Sequence, residues 1–372
     1  MSTDGVADLR HALVRALRSN GALRSEPVAA ALSRVPRELF VLAGTTPEVA
    51  YADRALVLTR DDTGRPTSSI SQPSMVALML EQLDVRPGQH VLEIGTASGY
   101  NAALLAHLTG SAGAVTTIEF DSELAVTASR RLTGFDPPVL VRAGDGWLGA
   151  PDLAPFDRVQ VTVGVDDLSP AWMEQLREGG MVVAPVMLRP GLELSIALVR
   201  RGNELRSVSV QPCGFVRMRG PNAGSSGRLP LDDDTVLLAS SDLAGADTER
   251  LTAMLRAGPI DAGPTGALPD GWPVWLALEA SHPLVLAPKE PAPSGRPGLY
   301  DPDAGGIAVV DGDRITGYGD PAAAWLLREC VAVMRPVRPT ALRIVARPTG
   351  AQPPSGRWTV CKPHFTYVVG PC

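Results

Sequence analysis

The sequence predicts an α/β fold, in which helices cover a doubly wound, mostly parallel sheet with an antiparallel edge hairpin, followed by a C-terminal α+β module. Three observations predict it. Strand-like and helix-like segments alternate from residue 90 to about residue 190, which is typical of a parallel sheet wrapped by helices. A glycine-marked turn joins the first of these strands to its helix. The chain has 372 residues, more than one domain usually holds.

Two helices are predicted ahead of the sheet. Residues 5–20 carry apolar side chains at helical spacing, and a second helix is expected over Glu26–Val35, where Pro36 ends it. The sheet then begins with the buried strand HVLEI (90–94) and the helix YNAALLAHLT (100–109). The alternation continues as strand AVTTIEF, helix SELAVTASRRL, strand PVLVRA, strand DRVQVTV, helix SPAWMEQLRE and strand MVVAPV.

After Pro190 the pattern changes from parallel to antiparallel. The runs LELSIALVRR and ELRSVSVQP are separated by Gly-Asn alone, which predicts a hairpin at the edge of the sheet. We therefore assign residues 1–220 to the N-terminal helices and the sheet domain. Residues 221–234, rich in Gly, Ser and Asp, are expected to form a linker. Residues 235–372 would then form the α+β module, which we expect to dock a peptide substrate.

Composition excludes several classes of function. The net charge is −6 and the chain has no basic block, so we expect no nucleic-acid partner and no membrane surface. No apolar run reaches 18 residues, and the first residues lack the pattern of a signal peptide. The four cysteines form no CxxC motif, which favours free thiols and a cytoplasmic location.

The glycine turn VLEIGTASGY predicts a cofactor site. Its spacing, Glu93-x-Gly95-x-x-x-Gly99, differs from that of a dinucleotide site. An acid beside the turn would repel a pyrophosphate but attract a cation, such as the amino group of S-adenosylmethionine. Gly95 would let the backbone approach the ligand closely.

Two further acids follow the next two strands. Glu119 lies 24 residues after Gly95, where a carboxylate can accept both ribose hydroxyls, and Asp145 follows the third strand. The competing interpretation makes Glu93 a capping acid and Asp145 a turn residue. We expect the following residues to bind the cofactor: Glu93, Gly95, Thr96, Ala97, Ser98, Gly99, Glu119, Asp145 and Gly146.

The order and spacing of several motifs resemble the protein-L-isoaspartate O-methyltransferase family. They are YADRAL, TSSISQPSMVALML, VLEIGTASGY, IEFD, AGDGW, FDRVQVTV and LREGGMVVAPV. The resemblance covers about residues 35–219 and implies a Rossmann-like methyltransferase that uses S-adenosylmethionine and releases S-adenosylhomocysteine. The family's usual GTGSGY is GTASGY here, a small change that should preserve cofactor binding.

The hydroxyl-rich segment ahead of the turn has two interpretations. Ser71, before Gln72 and Pro73, would serve as a helix N-cap. By resemblance, Ser71 and secondarily Ser69 would lie over the methyl donor and hold the substrate carboxylate. The resemblance also places Asp53 and Arg54 near the substrate cleft, where a surface ion pair is the alternative, and Thr162 beside the methyl group, where a plain strand-end residue is the alternative.

We expect no metal, because Cys361 and His364 in CKPH have no second pair of ligands. The predicted activity is methylation of an Asp or isoaspartyl carboxylate of a peptide or protein, giving an ester that can close to a succinimide. The residues after the hairpin favour tailoring of a ribosomally made peptide, such as a lanthipeptide. General repair of isoaspartyl proteins is one alternative, and a non-catalytic peptide-binding protein is another.

Overall fold

The computed structural model describes residues 3–224, 227–231, 235–239, 248–288, 295–351 and 356–371. Parts of the predicted linker and of the predicted C-terminal module, and Cys372, lie outside these ranges. No helix in the described ranges is long and apolar enough to cross a membrane.

Ten α-helices are numbered in chain order within the described residues. They are α1 (Thr3–Ser19), α2 (Glu26–Arg34), α3 (Pro47–Ala50), α4 (Pro73–Leu83), α5 (Tyr100–Thr109), α6 (Ser122–Arg131), α7 (Pro170–Gln175), α8 (Thr248–Arg256), α9 (Trp272–Glu279) and α10 (Ala322–Ala332). The two helices predicted ahead of the sheet are confirmed as α1 and α2.

The strands are numbered in the same way. They are β1 (Leu56–Arg60), β2 (Pro66–Ile70), β3 (His90–Ile94), β4 (Ala114–Glu119), β5 (Val139–Ala143), β6 (Phe156–Val161), β7 (Leu176–Arg189), β8 (Leu192–Arg201), β9 (Glu204–Pro212), β10 (Arg228–Pro230), β11 (Thr235–Ala239), β12 (Ile260–Pro264), β13 (Pro283–Pro288), β14 (Arg296–Asp301), β15 (Gly306–Asp311), β16 (Arg314–Tyr318), β17 (Leu342–Pro348), β18 (Trp358–Cys361) and β19 (Phe365–Pro371).

The larger sheet has the order β18-β19-β17-β9-β8-β7-β6-β3-β4-β5. The pairs that join β7, β6, β3, β4 and β5 are parallel, which confirms the predicted α/β fold. The strand order reverses between β3 and β6, and ligands of such sheets bind beyond the carboxyl ends of the strands at this reversal.

The smaller sheet is antiparallel and has the order β10-β11-β13-β14-β15-β16-β12. Its strand β10 falls within the predicted linker, where the sequence suggested only loop. Strands β15 and β16 form a hairpin around the Asp-Gly-Asp run, where Asp311 pairs with Arg314 across the turn.

Two predicted elements differ in the structure. The helix expected over SPAWMEQLRE ends at Gln175, because the long strand β7 begins at Leu176. The hairpin β8–β9 is not an edge of the sheet, because β17 pairs with β9 through Val345 and Ala346. The last three strands of the chain therefore extend the sheet that carries the glycine turn, although the sequence assigns them to the separate C-terminal module.

The hydrophobic cores follow this arrangement. One core contains the first helices, α4, α5 and one face of the central strands. The core on the other face is continuous from Trp147 and Trp172 to Trp275, Leu299 and Tyr367. This core therefore contains buried residues from both before and after the predicted linker.

Candidate functional site

A cavity opens at the carboxyl ends of β3 and β6, where the strand order reverses. Its empty volume, including the open mouth, is about 900 Å³. The wall combines the hydroxyl-rich strand, the glycine turn, the ends of β4 and β6, Gly146 after β5, and the segment after β9. The predicted site residues on this wall are Ser69, Ser71, Gly95, Thr96, Ala97, Ser98, Glu119, Gly146 and Thr162.

The glycine turn is tight because two of its positions exclude a side chain. A Cβ on Gly95 would lie 2.8 Å from Thr162 Oγ1 and 2.9 Å from Val163 Cγ1, and Gly95 has a φ of +101°. Gly99 is the N-cap residue of α5 and has a φ of +91°. These positive φ angles are accessible to glycine without strain, which explains the spacing of the motif.

Ala97 adopts a left-handed conformation with a φ of +47°. An alanine there carries a steric cost that glycine avoids. Its amide donates a hydrogen bond of 2.7 Å to Glu119 Oε2, which ties the turn to the end of β4. The alanine substitution therefore preserves the turn but strains it.

Glu93 lies behind the cavity and not on its wall. The side chain is fully buried; Oε1 accepts from Asn101 Nδ2 at 2.7 Å and Oε2 accepts from Thr117 Oγ1 at 2.5 Å. Burial raises the pKa of Glu93 to about 7. The carboxyl therefore supports Asn101, which does line the cavity. The predicted direct contact of Glu93 with the cofactor amino group has no support in this geometry.

Glu119 stands on the wall at the end of β4, as predicted. Besides the amide of Ala97, its carboxylate accepts from the amide of Asp121 at 3.1 Å, and Arg219 Nη2 lies 3.7 Å from Oε1. Burial raises the pKa of Glu119, while these amides and Arg219 act in the opposite sense. The Arg219 guanidinium also covers the ring of Phe120 at 5.6 Å.

Asp145 serves as a turn residue, which was the competing interpretation from sequence. Its Oδ1 accepts from the amide of Trp147 at 2.9 Å and its Oδ2 from Asn222 Nδ2 at 3.1 Å. Its neighbour Gly146 lines the cavity, and a Cβ there would lie 2.5 Å from Ile94 Cγ2. The backbone of Gly146 therefore packs closely against the side chain of Ile94 in the cavity wall.

The hydroxyl-rich segment, residues 67–71, also lines the cavity. Thr67, Ser68 and Ser69 belong to β2, which pairs with β1 in a two-stranded hairpin that the sequence did not indicate. Ser69 and Ser71 line the cavity. Within the described part of the chain, neither hydroxyl is engaged in a hydrogen bond. Both remain free to bind a ligand.

The prediction that Ser71 caps α4 is wrong. Pro73 occupies the first helical position, so Gln72 is the capping residue, and Gln72 makes no side-chain capping bond. The cap comes from a distant part of the chain: Asp53 Oδ1 accepts from the amide of Ser74 at 2.8 Å.

Asp53 and Arg54 are exposed and do not line the cavity. Asp53 instead fixes the start of α4. The ion pair between them, which the sequence left open, is absent from the ion pairs of the described residues. Their predicted role in substrate binding is not supported by a position on the wall.

Arg37 was missed by sequence reasoning although it holds the hydroxyl segment in place. It is completely buried; Nε donates to Ala50 O at 2.8 Å and Nη2 donates to Ser71 O at 3.0 Å. Its guanidinium lies 4.9 Å from the ring centre of Tyr100, at the start of α5. A lone arginine before an apolar run, in VPRELF, was the available signal.

Thr162 lies between the turn and the loop that follows β6. Its hydroxyl is placed to donate to Gly95 O at 2.7 Å or Ile94 O at 3.0 Å. The residue therefore anchors the glycine turn, and its position on the wall leaves the predicted role beside the methyl group open.

Arg217 was also missed, and it contributes a cation to the wall. Its Nη2 is bonded to Asp166 Oδ1, and its Nη1 lies 3.9 Å from Glu193 Oε1. Burial raises the pKa of Glu193 to about 7, an effect that Arg217 opposes. The positive charge of Arg217 is thus balanced by neighbouring carboxyl groups.

The CKPH segment has a packing role. His364 packs against Trp147 with ring centres 5.3 Å apart and the rings tilted by 55°. The described ranges contain no cluster of three or more His, Cys, Asp or Glu side chains that is arranged to hold a metal ion.

Comparison with known proteins identifies the family. The family model described as protein-L-isoaspartate(D-aspartate) O-methyltransferase matches residues 8–221. A protein-L-isoaspartate O-methyltransferase of Methanopyrus kandleri is 42% identical over 213 residues, which cover 57% of this chain and 91% of that protein. The chain belongs to the protein-L-isoaspartate O-methyltransferase family. Its enzyme class, an S-adenosylmethionine-dependent O-methyltransferase, is therefore confirmed.

Two further matches extend this result. A relative from Hyperthermus butylicus with the same name is 38% identical over 239 residues, covering 62% of this chain and 95% of its own. A solved structure named protein-L-isoaspartate O-methyltransferase aligns with 97% of this chain and 99% of its own, at 23% identity and a TM-score of 0.56. The fold of nearly the whole methyltransferase, including the residues after 221, therefore has a solved counterpart.

Proposed function

We propose that this methyltransferase esterifies the free α-carboxylate of L-isoaspartyl residues in peptides or proteins, as a repair enzyme. One observation carries the proposal. The hydroxyls of Ser69 and Ser71 make no hydrogen bond within the described residues, and they line the same cavity as the glycine turn and Glu119. S-adenosylmethionine would be held by the turn and by Glu119, and the substrate carboxylate by the two serines.

The reaction needs little chemical activation. The α-carboxylate has an unperturbed pKa of about 3.5, so it is ionised at neutral pH and requires no general base. One carboxylate oxygen forms a bond to the methyl carbon as the carbon–sulfur bond breaks, and neutral S-adenosylhomocysteine leaves. The enzyme must align the two atoms and remove water from the oxygen.

The charges on the wall suit this reaction. A hydroxyl donates a hydrogen bond to an anion without neutralising it, so the oxygen stays nucleophilic. Arg217 would weaken the nucleophile if its charge were free, but Asp166 is ion-paired with it. We infer that the cavity attracts the carboxylate only moderately and positions it through Ser69 and Ser71.

The ester would then enter the repair sequence. The backbone nitrogen of the following residue attacks the ester carbonyl, methanol leaves, and a succinimide forms. Hydrolysis of the succinimide gives aspartate or isoaspartate. These later steps need no group from the protein.

Tailoring of a ribosomally made peptide is the second candidate. The sequence favours it, because general repair gives no reason for a dedicated domain after the hairpin. The solved structure with the repair-type name spans a comparable extension, so an extension by itself does not favour tailoring. Repair is therefore the stronger proposal.

A peptide assay tests both candidates. The purified protein is incubated with methyl-labelled S-adenosylmethionine and a hexapeptide containing one L-isoaspartyl residue, with the aspartyl hexapeptide of the same sequence as control. Repair predicts rapid labelling of the isoaspartyl peptide and none of the aspartyl one. Binding of S-adenosylhomocysteine without labelling of either peptide would contradict repair and leave tailoring of a specific peptide as the candidate.

A further inference from the structure

The final hairpin of the chain contacts a loop that runs into the cavity wall. Strands β18 and β19 join the large sheet through β17, and their turn lies against the loop that follows β6. The region matched by the family model ends at residue 221, so this contact comes from outside that region.

A single buried carboxylate makes the contact. Asp167 is 4% exposed. Its Oδ2 accepts from the backbone amides of His364 and Phe365, at 2.7 and 3.2 Å. Its Oδ1 accepts from the hydroxyl of Tyr367 at 2.7 Å and from the amide of Leu168 at 2.8 Å. The Tyr367 hydroxyl also accepts from the amide of Leu168 at 3.1 Å. We call these contacts the Asp167 clamp.

The clamp holds the end of a loop whose beginning lines the cavity. Thr162 and Val163 are on the wall. Gly164 then exchanges backbone bonds with the segment after β9: its amide donates to Val216 O, and its carbonyl accepts from the amide of Met218, both at 2.9 Å. The position of Arg217 on the wall therefore depends on this loop as well.

The same turn supports a second wall element. The ring of His364 packs against Trp147, which follows the cavity residue Gly146. Trp172 Nε1 donates to Gly146 O at 2.9 Å and packs against Trp147. The turn of the final hairpin thus contacts the loops that follow both β5 and β6.

We propose that the final hairpin positions the loop of residues 162–168 for methyl transfer, with Asp167 and Tyr367 as positioning residues. Neither side chain lines the cavity, so both act through the loop. Small displacements of reacting groups reduce rates strongly, by up to about 100-fold for 1 Å. The kinetic test of this inference rests on the proposed function, whereas the test by hydrogen exchange does not.

Tyr367→Phe tests the clamp with the smallest change, because it removes one hydroxyl and leaves three donors on Asp167. Tyr318→Phe is the matched control: Tyr318 is also buried and its hydroxyl accepts from Arg296 Nη1 at 3.2 Å, but it lies in the smaller sheet. We expect kcat on the isoaspartyl peptide to fall about 10-fold in Tyr367→Phe and less than twofold in the control. The Kd for S-adenosylhomocysteine should change less than twofold in both, because the glycine turn keeps its own bonds.

Hydrogen exchange gives a readout that does not depend on activity. Amides of residues 163–168 should exchange faster in Tyr367→Phe than in the wild type or the control. A lower melting temperature with unchanged kcat and unchanged exchange in this segment would overturn the proposal, since it would show a merely stabilising role. If the wild type does not methylate the peptide, the proposed function fails, and the exchange of residues 163–168 alone decides the clamp. Asp167→Asn should show the same pattern with a larger effect.

Discussion

Ala97 has a strained backbone conformation and lines the cavity that we propose for the cofactor. Its left-handed φ of +47° is compatible with alanine but favours glycine. Its amide nevertheless donates to Glu119, so the strained conformation is the one that links the glycine turn to the ribose-binding acid we propose. The surrounding turn holds Ala97 in this conformation despite its steric cost.

Ala97→Gly should therefore stabilise the protein. Relief of the left-handed strain exceeds the extra entropy of a glycine in the unfolded chain, and we expect a gain of about 0.5–1 kcal/mol in the free energy of unfolding. Ala103→Gly, in the middle of α5, is the control and should destabilise the protein by about 1 kcal/mol. Denaturant titration of both variants checks the pair, and a loss of stability in Ala97→Gly would show that the turn is not strained.

Ser71→Ala should reduce catalysis without affecting the cofactor. The variant loses a hydroxyl that makes no bond within the described residues, so stability should hardly change. We expect kcat/KM for the isoaspartyl peptide to fall by about 10- to 100-fold, equivalent to one charge-assisted hydrogen bond. Ser74→Ala, at the second position of α4, should leave kcat and KM unchanged. Equal activity of the two variants would remove Ser71 from the proposed site.

At the scale of elements, two side chains from distant segments set the position of the hydroxyl wall. Asp53 caps α4 and Arg37 binds the carbonyl of Ser71. The wall thus depends on the region of the first helices, which packs against α4 and α5 in one core. This dependence explains why the segment can hold two serines in place without bonds to their hydroxyls.

Variants of Asp53 separate capping from substrate binding. Asp53→Ala should lose about 1 kcal/mol of stability, because the Ser74 amide loses its acceptor, whereas Asp53→Asn keeps an acceptor and most of the stability. KM for the isoaspartyl peptide should be the same in Asp53→Asn and the wild type. An increase in KM with full stability in Asp53→Asn would restore the substrate-binding role that the sequence predicted.

The sequence predicted the elements that bury continuous apolar runs. Strand β3 and helix α5 have the predicted bounds, because a buried run, a glycine turn and an apolar helix identify a βα unit locally. The hairpin β1–β2 was missed, because its residues are largely polar and are ordered by pairing with each other. The short α7 was overestimated, because β7 begins earlier than its apolar centre indicates.

The site was predicted where motif residues meet at one edge of the sheet. Gly95, Glu119 and Thr162 converge because they follow neighbouring parallel strands. Arg37 and Arg217 were missed because their partners are distant in sequence, whereas Asn101 was missed although its partner Glu93 is only eight residues away. Glu93, which the sequence predicts as a cofactor residue, is enclosed by Asn101 and Thr117 and does not line the cavity.

At the scale of the whole molecule, two buried glutamates link stability to pH. The pKa values of Glu93 and Glu193 are each raised to about 7, chiefly by burial. Their unfolded value is about 4.3, so between pH 4.3 and 7 the folded protein binds more protons than the unfolded chain. Stability should therefore fall as pH rises through this range, by on the order of 3 kcal/mol for each carboxyl.

The double variant Glu93→Gln, Glu193→Gln should flatten this dependence. The amide mimics the protonated carboxyl, so the free energy of unfolding should change less between pH 5 and 8 than in the wild type. Glu123→Gln, at an exposed position in α6, is the control and should retain the wild-type slope. Stability that rises with pH in the wild type would contradict the assignment of raised pKa values.

The large sheet contains strands of the methyltransferase region and the last three strands of the chain. We therefore expect the geometry of the site to depend on both. The most direct test of the account is a crystal structure with S-adenosylhomocysteine and an isoaspartyl peptide bound. The account predicts that the α-carboxylate lies within about 3 Å of the Ser71 or Ser69 hydroxyl, with one oxygen directed at the sulfur. A carboxylate bound away from both serines, or held by a free cationic side chain, would contradict it.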